Sequence, residues 1–132
     1  MEIIQCVGVI CFKEDEVLLI RRAVPPRAGE WSIPGGRIEP GETEQQAALR
    51  ELLEETSITA KLGPKIELVV AEFDGKIYHL HDYAAQWLSG QPTPNEEVWE
   101  TRFVPLAQIT TYGMWDRTVD VISKGRRMIN KK

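Results

Sequence analysis

The sequence has no Cys-x-x-Cys pair and only two cysteines, Cys6 and Cys11, in 132 residues. Their odd separation puts them on opposite faces of a strand, where they do not readily pair. A disulfide framework or thiolate metal site is therefore disfavoured. The two read as small apolar core residues of a protein in a reducing, cytoplasmic compartment. No apolar run approaches the ~18 residues of a membrane span. The first ten residues, MEIIQCVGVI, carry an acid and no basic stretch, unlike a secretory signal. A surplus of positive charge is missing too. The 16 basic and 20 acidic residues leave a net charge of −4, which does not favour a nucleic-acid polymer as partner. Repeats, low-complexity tracts and linkers are absent, and the length suits a single domain over residues 1–132.

What is present is an ordinary soluble balance, 42% apolar and 27% charged. The charge is unevenly placed. Residues 42–55 hold five glutamates and one arginine, while the end, KGRRMINKK, holds five basic residues and reads as a solvated helix terminus.

IIQCVGVICF (3–12) and VLLIRR (17–22) flank a short charged turn and predict a hairpin. Residues 23–31 read as a loop. Residues 32–42, with two prolines and three glycines, read as shaped loop with a short extended piece at Arg37–Glu39. Thr43-x-x-Gln46 is a capping-box pattern, and the helix it opens runs to about Thr56. IELVVAEF (66–73) and KIYHLHDYAAQWL (76–88) flank Asp74-Gly75, a two-residue hairpin signal. VWETRFVP (98–105) predicts a further strand, Leu106–Ile109 a helical turn, and residues 115–129 a terminal helix. The sum is an α/β chain with a mixed sheet and two main helices.

The helix after Thr43 carries the unusual pattern. At 100° per residue, Ala48, Leu49, Leu52, Leu53 and Thr56 fall within about 140–280°, the face expected to dock on the sheet. Glu44, Glu51, Glu54 and Glu55 fall within about 20–120°. Like charges at i, i+3 and i+4 repel by a few tenths of a kcal/mol per pair. The plain alternative is a solvated acidic face with Arg50 and Glu54 as an i, i+4 pair. The preceding loop points elsewhere. Gly35, Gly36 and Gly41 let the backbone approach something closely, while Pro34 and Pro40 restrict its shape. Glu42 sits just before the helix. Carboxylates beside a glycine-loop carbonyl form an all-oxygen environment suited to Mg²⁺ or Mn²⁺, whose shell substrate phosphates complete.

These residues resemble the Nudix box, G-x5-E-x7-R-E-U-x-E-E-x-G-U, where U is bulky and apolar. Gly36, Glu42, Arg50, Glu51, Leu52, Glu54, Glu55 and Ile58 stand at the required spacings. Ser57 replaces the final glycine, at a helix exit where positive φ would strain it. The resemblance implies an α/β/α sandwich and hydrolysis of a nucleoside diphosphate linked to another group, such as an NTP, ADP-ribose or a nucleotide sugar. It implies that Glu51, Glu54 and Glu55 bind metal, with one of them acting as the base, that Gly35 offers its carbonyl, that Arg50 orients the glutamates and that Glu42 supports them. A further acid from a later loop would be Glu96 or Glu97. A nucleotide-sensing domain without turnover is the other class such a fold allows.

Selectivity is expected outside the box. Arg21, Arg22, Arg27 and Arg37 suit phosphate contact, against a reading as ordinary surface charge. Trp31, Tyr78, Tyr83, Trp87 and Trp99 are candidates to stack a base, although strand aromatics are commonly core. His79 and His81 share a strand face without an evident third ligand. The expected partner is a small nucleotide, bound by a monomer or homodimer.

Overall fold

A computed structural model describes residues 2–130. Met1 and the last two basic residues, Lys131 and Lys132, lie outside the described residues. Chain order gives β1 (Ile3–Lys13), β2 (Glu16–Arg22), β3 (Trp31–Ser32), β4 (Gly35–Arg37), α1 (Glu44–Thr56), β5 (Thr59–Phe73), β6 (Lys76–Ser89), β7 (Val98–Pro105), a 3-10 helix (Leu106–Tyr112) and α2 (Asp116–Ile129).

The strands form one mixed sheet, ordered β3-β2-β1-β6-β5, with β4 paired to β1 and β7 to β2. β1 runs parallel to β6 over ten paired residues, from Ile3–Ile77 to Phe12–Gln86. β1 and β2 pair only beside their turn, at Phe12–Val17 and Lys13–Glu16. Further along they diverge, and β4 occupies the gap against Cys6–Gly8. Strand alternation gives the sheet two apolar faces. Ile10, Phe12, Leu19, Val69 and Ala84 face α2 residues Val121 and Ile122. Val7, Val9, Cys11, Leu18 and Ala85 face α1 residues Ala47, Ala48 and Leu52. The result is the α/β/α sandwich. Cys6 and Cys11 are both buried and free.

Local chemistry explains the element ends. Thr43 Oγ1 accepts from Gln46 N at 3.0 Å, and the Gln46 side chain accepts from Thr43 N at 3.0 Å, completing the capping box. Asp74 and Gly75 both have positive φ, as a tight two-residue hairpin turn requires.

Three expectations are corrected. The extended piece is Gly35–Arg37, not Arg37–Glu39, because the partner that makes it a strand is β1. β5 begins at Thr59 rather than 66, and its pairing with β6 shifts between Leu62 and Lys65, where Gly63-Pro64 interrupts the ladder. The buried arc of α1 is Ala47, Ala48, Glu51, Leu52, Glu55 and Thr56, whereas Leu49 and Leu53 are exposed at 39% and 52%. The helix is rotated so that two glutamates, not two leucines, face inward.

Candidate active site

That rotation has a local cause. Glu55 is 4% exposed, and its Oε1 accepts a hydrogen bond from Gly35 N at 2.8 Å. Glu51 lies against Gly36, where a Cβ would stand 2.6 Å from the carboxyl carbon. β4 therefore offers a backbone donor to one carboxylate and bare space to the other. Both acids are satisfied only with this face of α1 turned toward β4.

Arg50 ties the set together. It donates to Glu42 at 2.6 and 2.9 Å, to Glu51 Oε1 at 2.9 Å, to Glu54 Oε2 at 3.2 Å and to the Arg37 carbonyl at 3.1 Å. A planar guanidinium with five N–H donors suits such a hub, and the contacts fix its plane. The Arg50 hydrogen bonds hold the Glu42 carboxyl down at about 2, aided by the Glu39 backbone. Burial pushes Glu51 up, against the pull of Arg50. Burial pushes Glu55 up to about 8, opposed by the Gly35 N–H and reinforced by the charges of Glu51 and Glu97.

The two buried glutamates line a cleft of about 800 Å³. Gly35, Gly36, Arg22, Arg27, Arg37, Trp31 and Glu97 also line it, so most of the sequence candidates meet at one site. Glu97 is carried there just before the first residue of β7. Its carbonyl accepts from Ala23 N at 3.0 Å, and its N–H donates to Asn95 Oδ1 at 2.9 Å. Arg22 is steadied by donation to the Pro26 carbonyl at 2.7 Å, and Arg27 pairs with Glu30 at 3.1 Å. Trp31 packs edge-on against Tyr112 at 5.0 Å, with Arg102 over its ring.

Other candidates lie elsewhere. Arg21 is outside the cleft lining and is engaged by the Gly29 carbonyl and Glu100. Glu54 is half-exposed beside Arg50 and does not line the cleft, and neither does Glu96. His81 is used structurally, bonded to Lys65 at 2.8 Å and Gln5 at 2.7 Å. Tyr83 donates to Glu44, and Trp87 and Trp99 do not reach the cleft. Four further acids line the cleft, Glu30, Glu39, Glu72 and, on β6, Asp82, and of these only Asp82 is buried. Its signal was available, since period two sets Tyr78, Leu80 and Asp82 on one face, opposite the two histidines.

Among the described residues, no three His, Cys, Asp or Glu side chains converge closely enough to cage an ion unaided. The donor chemistry still fits a hard divalent cation held partly by water and substrate. Oxygen donors at Glu51 and Glu55 sit together at the cleft, and Glu97 adds negative charge to both.

The family profile described as NUDIX domain matches residues 4–123. The chain is 39% identical over 82 residues to the CTP pyrophosphohydrolase of Escherichia coli K12, an alignment covering 61% of each chain. It thus spans about three fifths of that relative's length. It is 35% identical over 91 residues to the 8-oxo-dGTP diphosphatase of the same organism, covering 68% of this chain and 70% of that one. The crystal structure of the MutT protein from Methanosarcina mazei Go1 superposes with a TM-score of 0.83 at 27% identity, over 99% of this chain and 97% of the other. A match running from the first strand into the terminal helix, across the arginine-centred glutamates at the cleft, makes this chain a member of the Nudix family.

Proposed function

We propose that the protein is a divalent-metal-dependent pyrophosphohydrolase acting on a small nucleotide, a nucleoside diphosphate linked to a further phosphate, ribose or sugar. The observation that carries this reading is the pairing of buried Glu51 and Glu55 with Arg22, Arg27 and Arg37 in one cleft. Carboxylates there serve a cation, and Arg22, Arg27 and Arg37 complement a polyphosphate. The names of the relatives, a CTP pyrophosphohydrolase and an 8-oxo-dGTP diphosphatase, favour a triphosphate among the candidate substrates.

Bound Mg²⁺ or Mn²⁺ would supply charge neutralisation for the attacking and leaving oxygens. Glu51 and Glu55, which face the cleft, would hold it with the Gly35 carbonyl, and Glu54 would join them by turning from Arg50 toward the cleft. Arg50 fixes the carboxylates of Glu51 and Glu42 in place. One glutamate of the set takes the proton of the attacking water. The cleft arginines orient the phosphate chain and draw charge from its bridging oxygens.

Glu54→Gln and Glu55→Gln each remove a carboxylate charge without changing side-chain length. Either change is expected to lower kcat by at least about 100-fold, or ~2.7 kcal/mol of barrier. The assay incubates nucleoside triphosphates, ADP-ribose and nucleotide sugars with Mg²⁺ or Mn²⁺ and identifies products by mass. Full activity in both variants would remove these glutamates from the chemistry. Tight nucleotide binding without turnover in either metal would mark a sensor instead.

A further inference from the structure

Asp82 is 5% exposed, yet its side chain makes no hydrogen bond or ion pair with any described residue. Its neighbours are otherwise engaged. Glu67, its cross-strand partner on β5, is paired with Arg117 at 3.2 Å and Lys124 at 3.3 Å from α2. A buried carboxyl without partners costs several kcal/mol, so a chain that keeps one has a use for it.

The surroundings are built around this group. Asp82 pairs with Gly8 across β1 and β6, and a Cβ on Gly8 would stand 2.3 Å from Asp82 Oδ1. Any side chain at position 8 would occupy the carboxyl's place. No buried polar side-chain atom among the described residues is sealed off without a partner, so the Asp82 oxygens open into the cleft they line. Tyr78 and Leu80 precede Asp82 on the same face of β6, and Trp115 and Arg117 stand on the opposite wall.

The cleft thus has two ends. Gly35, whose N–H holds Glu55, pairs with Gly8 on one side, and Asp82 pairs with Gly8 on the other. Two strand spacings separate the ends, about 10 Å. One end is charged and suits phosphates. The other gathers Tyr78, Leu80, Val69 and Trp115 around Asp82, its buried acid, with the exposed Glu72 and with Arg117 also in the lining, a mainly apolar and aromatic setting suited to a nucleobase.

We propose that Asp82 is the specificity-determining residue for the base, accepting hydrogen bonds from an edge that offers two adjacent N–H donors, as guanine does at N1 and N2. An ionised carboxylate has acceptors only, and two side-by-side donors satisfy both oxygens at once. Burial pushes its carboxyl up to about 7, so the charged form needs this compensation. A base lacking one donor leaves an oxygen unpaired in a dry site.

The inference rests on the hydrolase reading for its substrate, and the test separates the two. kcat/KM is measured for GTP and ITP, which differ only in the 2-amino group, with the native chain, Asp82→Asn and Asp82→Ala. The native chain is expected to prefer GTP by at least about tenfold, the range of a bidentate base contact. Asp82→Asn, close in shape, presents a donor where an acceptor is needed and should bring the GTP-to-ITP ratio near one. A native ratio near one, or an unchanged ratio in both variants, overturns the proposal. Calorimetry of guanosine and inosine monophosphate binding needs no turnover. If no triphosphate, ADP-ribose or nucleotide sugar is hydrolysed, the hydrolase reading fails, and equal affinities for the two monophosphates still overturn the role of Asp82. A preference for the guanine compound that vanishes in Asp82→Asn upholds it.

Discussion

Gly36 shows how little room the Glu51 carboxylate has, since a methyl group there would lie within 2.7 Å of both its oxygens. Gly36→Ala must displace that carboxylate or lift β4 from α1. A shift of about 1 Å in a catalytic group costs on the order of 100-fold in rate. The variant is expected to lose about that much kcat, and steady-state kinetics at saturating metal checks it. Native rates would mean that Glu51 need not occupy its present place.

Asp82 makes a separate mark on stability. Folded, it holds its proton up to about pH 7, because burial and the Glu67 charge outweigh the pull of Arg117. Unfolded, an aspartate releases its proton near pH 4. Between those values the folded chain binds more protons than the unfolded one, so this residue makes stability fall as pH rises from about 4 to 7 and then level off. Asp82→Asn lacks the titration. Denaturant unfolding at pH 4.5 and 8 should show the variant gaining on its parent at the higher pH, by on the order of a few kcal/mol. A pH-independent difference would place the carboxyl in a more polar setting.

Among the elements, α1 shows both what sequence conveys and what it withholds. Thr43 and Gln46 announce the helix start through their own chemistry, and Asp74-Gly75 does the same for the β5–β6 hairpin. Local rules of this kind need no knowledge of the partner. Which face of α1 is buried does depend on the partner. An apolar count favours Leu49 and Leu53, but Gly35 N–H and the bare Gly36 recruit Glu55 and Glu51 instead. The same dependence moved the extended piece to Gly35–Arg37, which β1 alone defines. Period two sets Asp82 on one face with Tyr78 and Leu80, but that this face is the one lining the cleft is a tertiary property. The end of α1 conveys a defect directly. Ser57, at the glycine position of the box, has φ 63° and ψ 19°. A left-handed residue with a Cβ costs about 1–2 kcal/mol, partly offset by the unfolded-state entropy a glycine would add. Ser57→Gly is therefore expected to stabilise the protein by roughly 0.5–1 kcal/mol, read as a rise in melting temperature of a few degrees. A fall in melting temperature would show that the serine has a compensating partner.

For the molecule as a whole, the glutamates at the cleft are a reservoir of unrelieved repulsion. Glu97 disfavours the ionisation of Glu51 and Glu55, Glu51 disfavours that of Glu55, and no basic side chain contacts Glu55 among the described residues. A cation bound there would favour the folded chain by about 2.7 kcal/mol at a hundredfold excess over Kd. Mn²⁺ is expected to raise the melting temperature by several degrees, EDTA to reverse it, and Glu55→Gln to abolish it. A melting temperature indifferent to Mn²⁺ would mean that the acids do not bind metal in the free protein.

The break at Gly63-Pro64 bears on how the molecule survives at high concentration. β5 is an outermost strand, 15 residues long, with its free backbone groups facing away from β6. An unbroken strand of that length would invite a neighbour to zip along it and seed an open-ended fibre. Pro64 has no N–H to lend, and the kink beside it throws any intruding strand out of step. Filling in that irregularity would leave a continuous fifteen-residue edge open to pairing with a neighbouring chain.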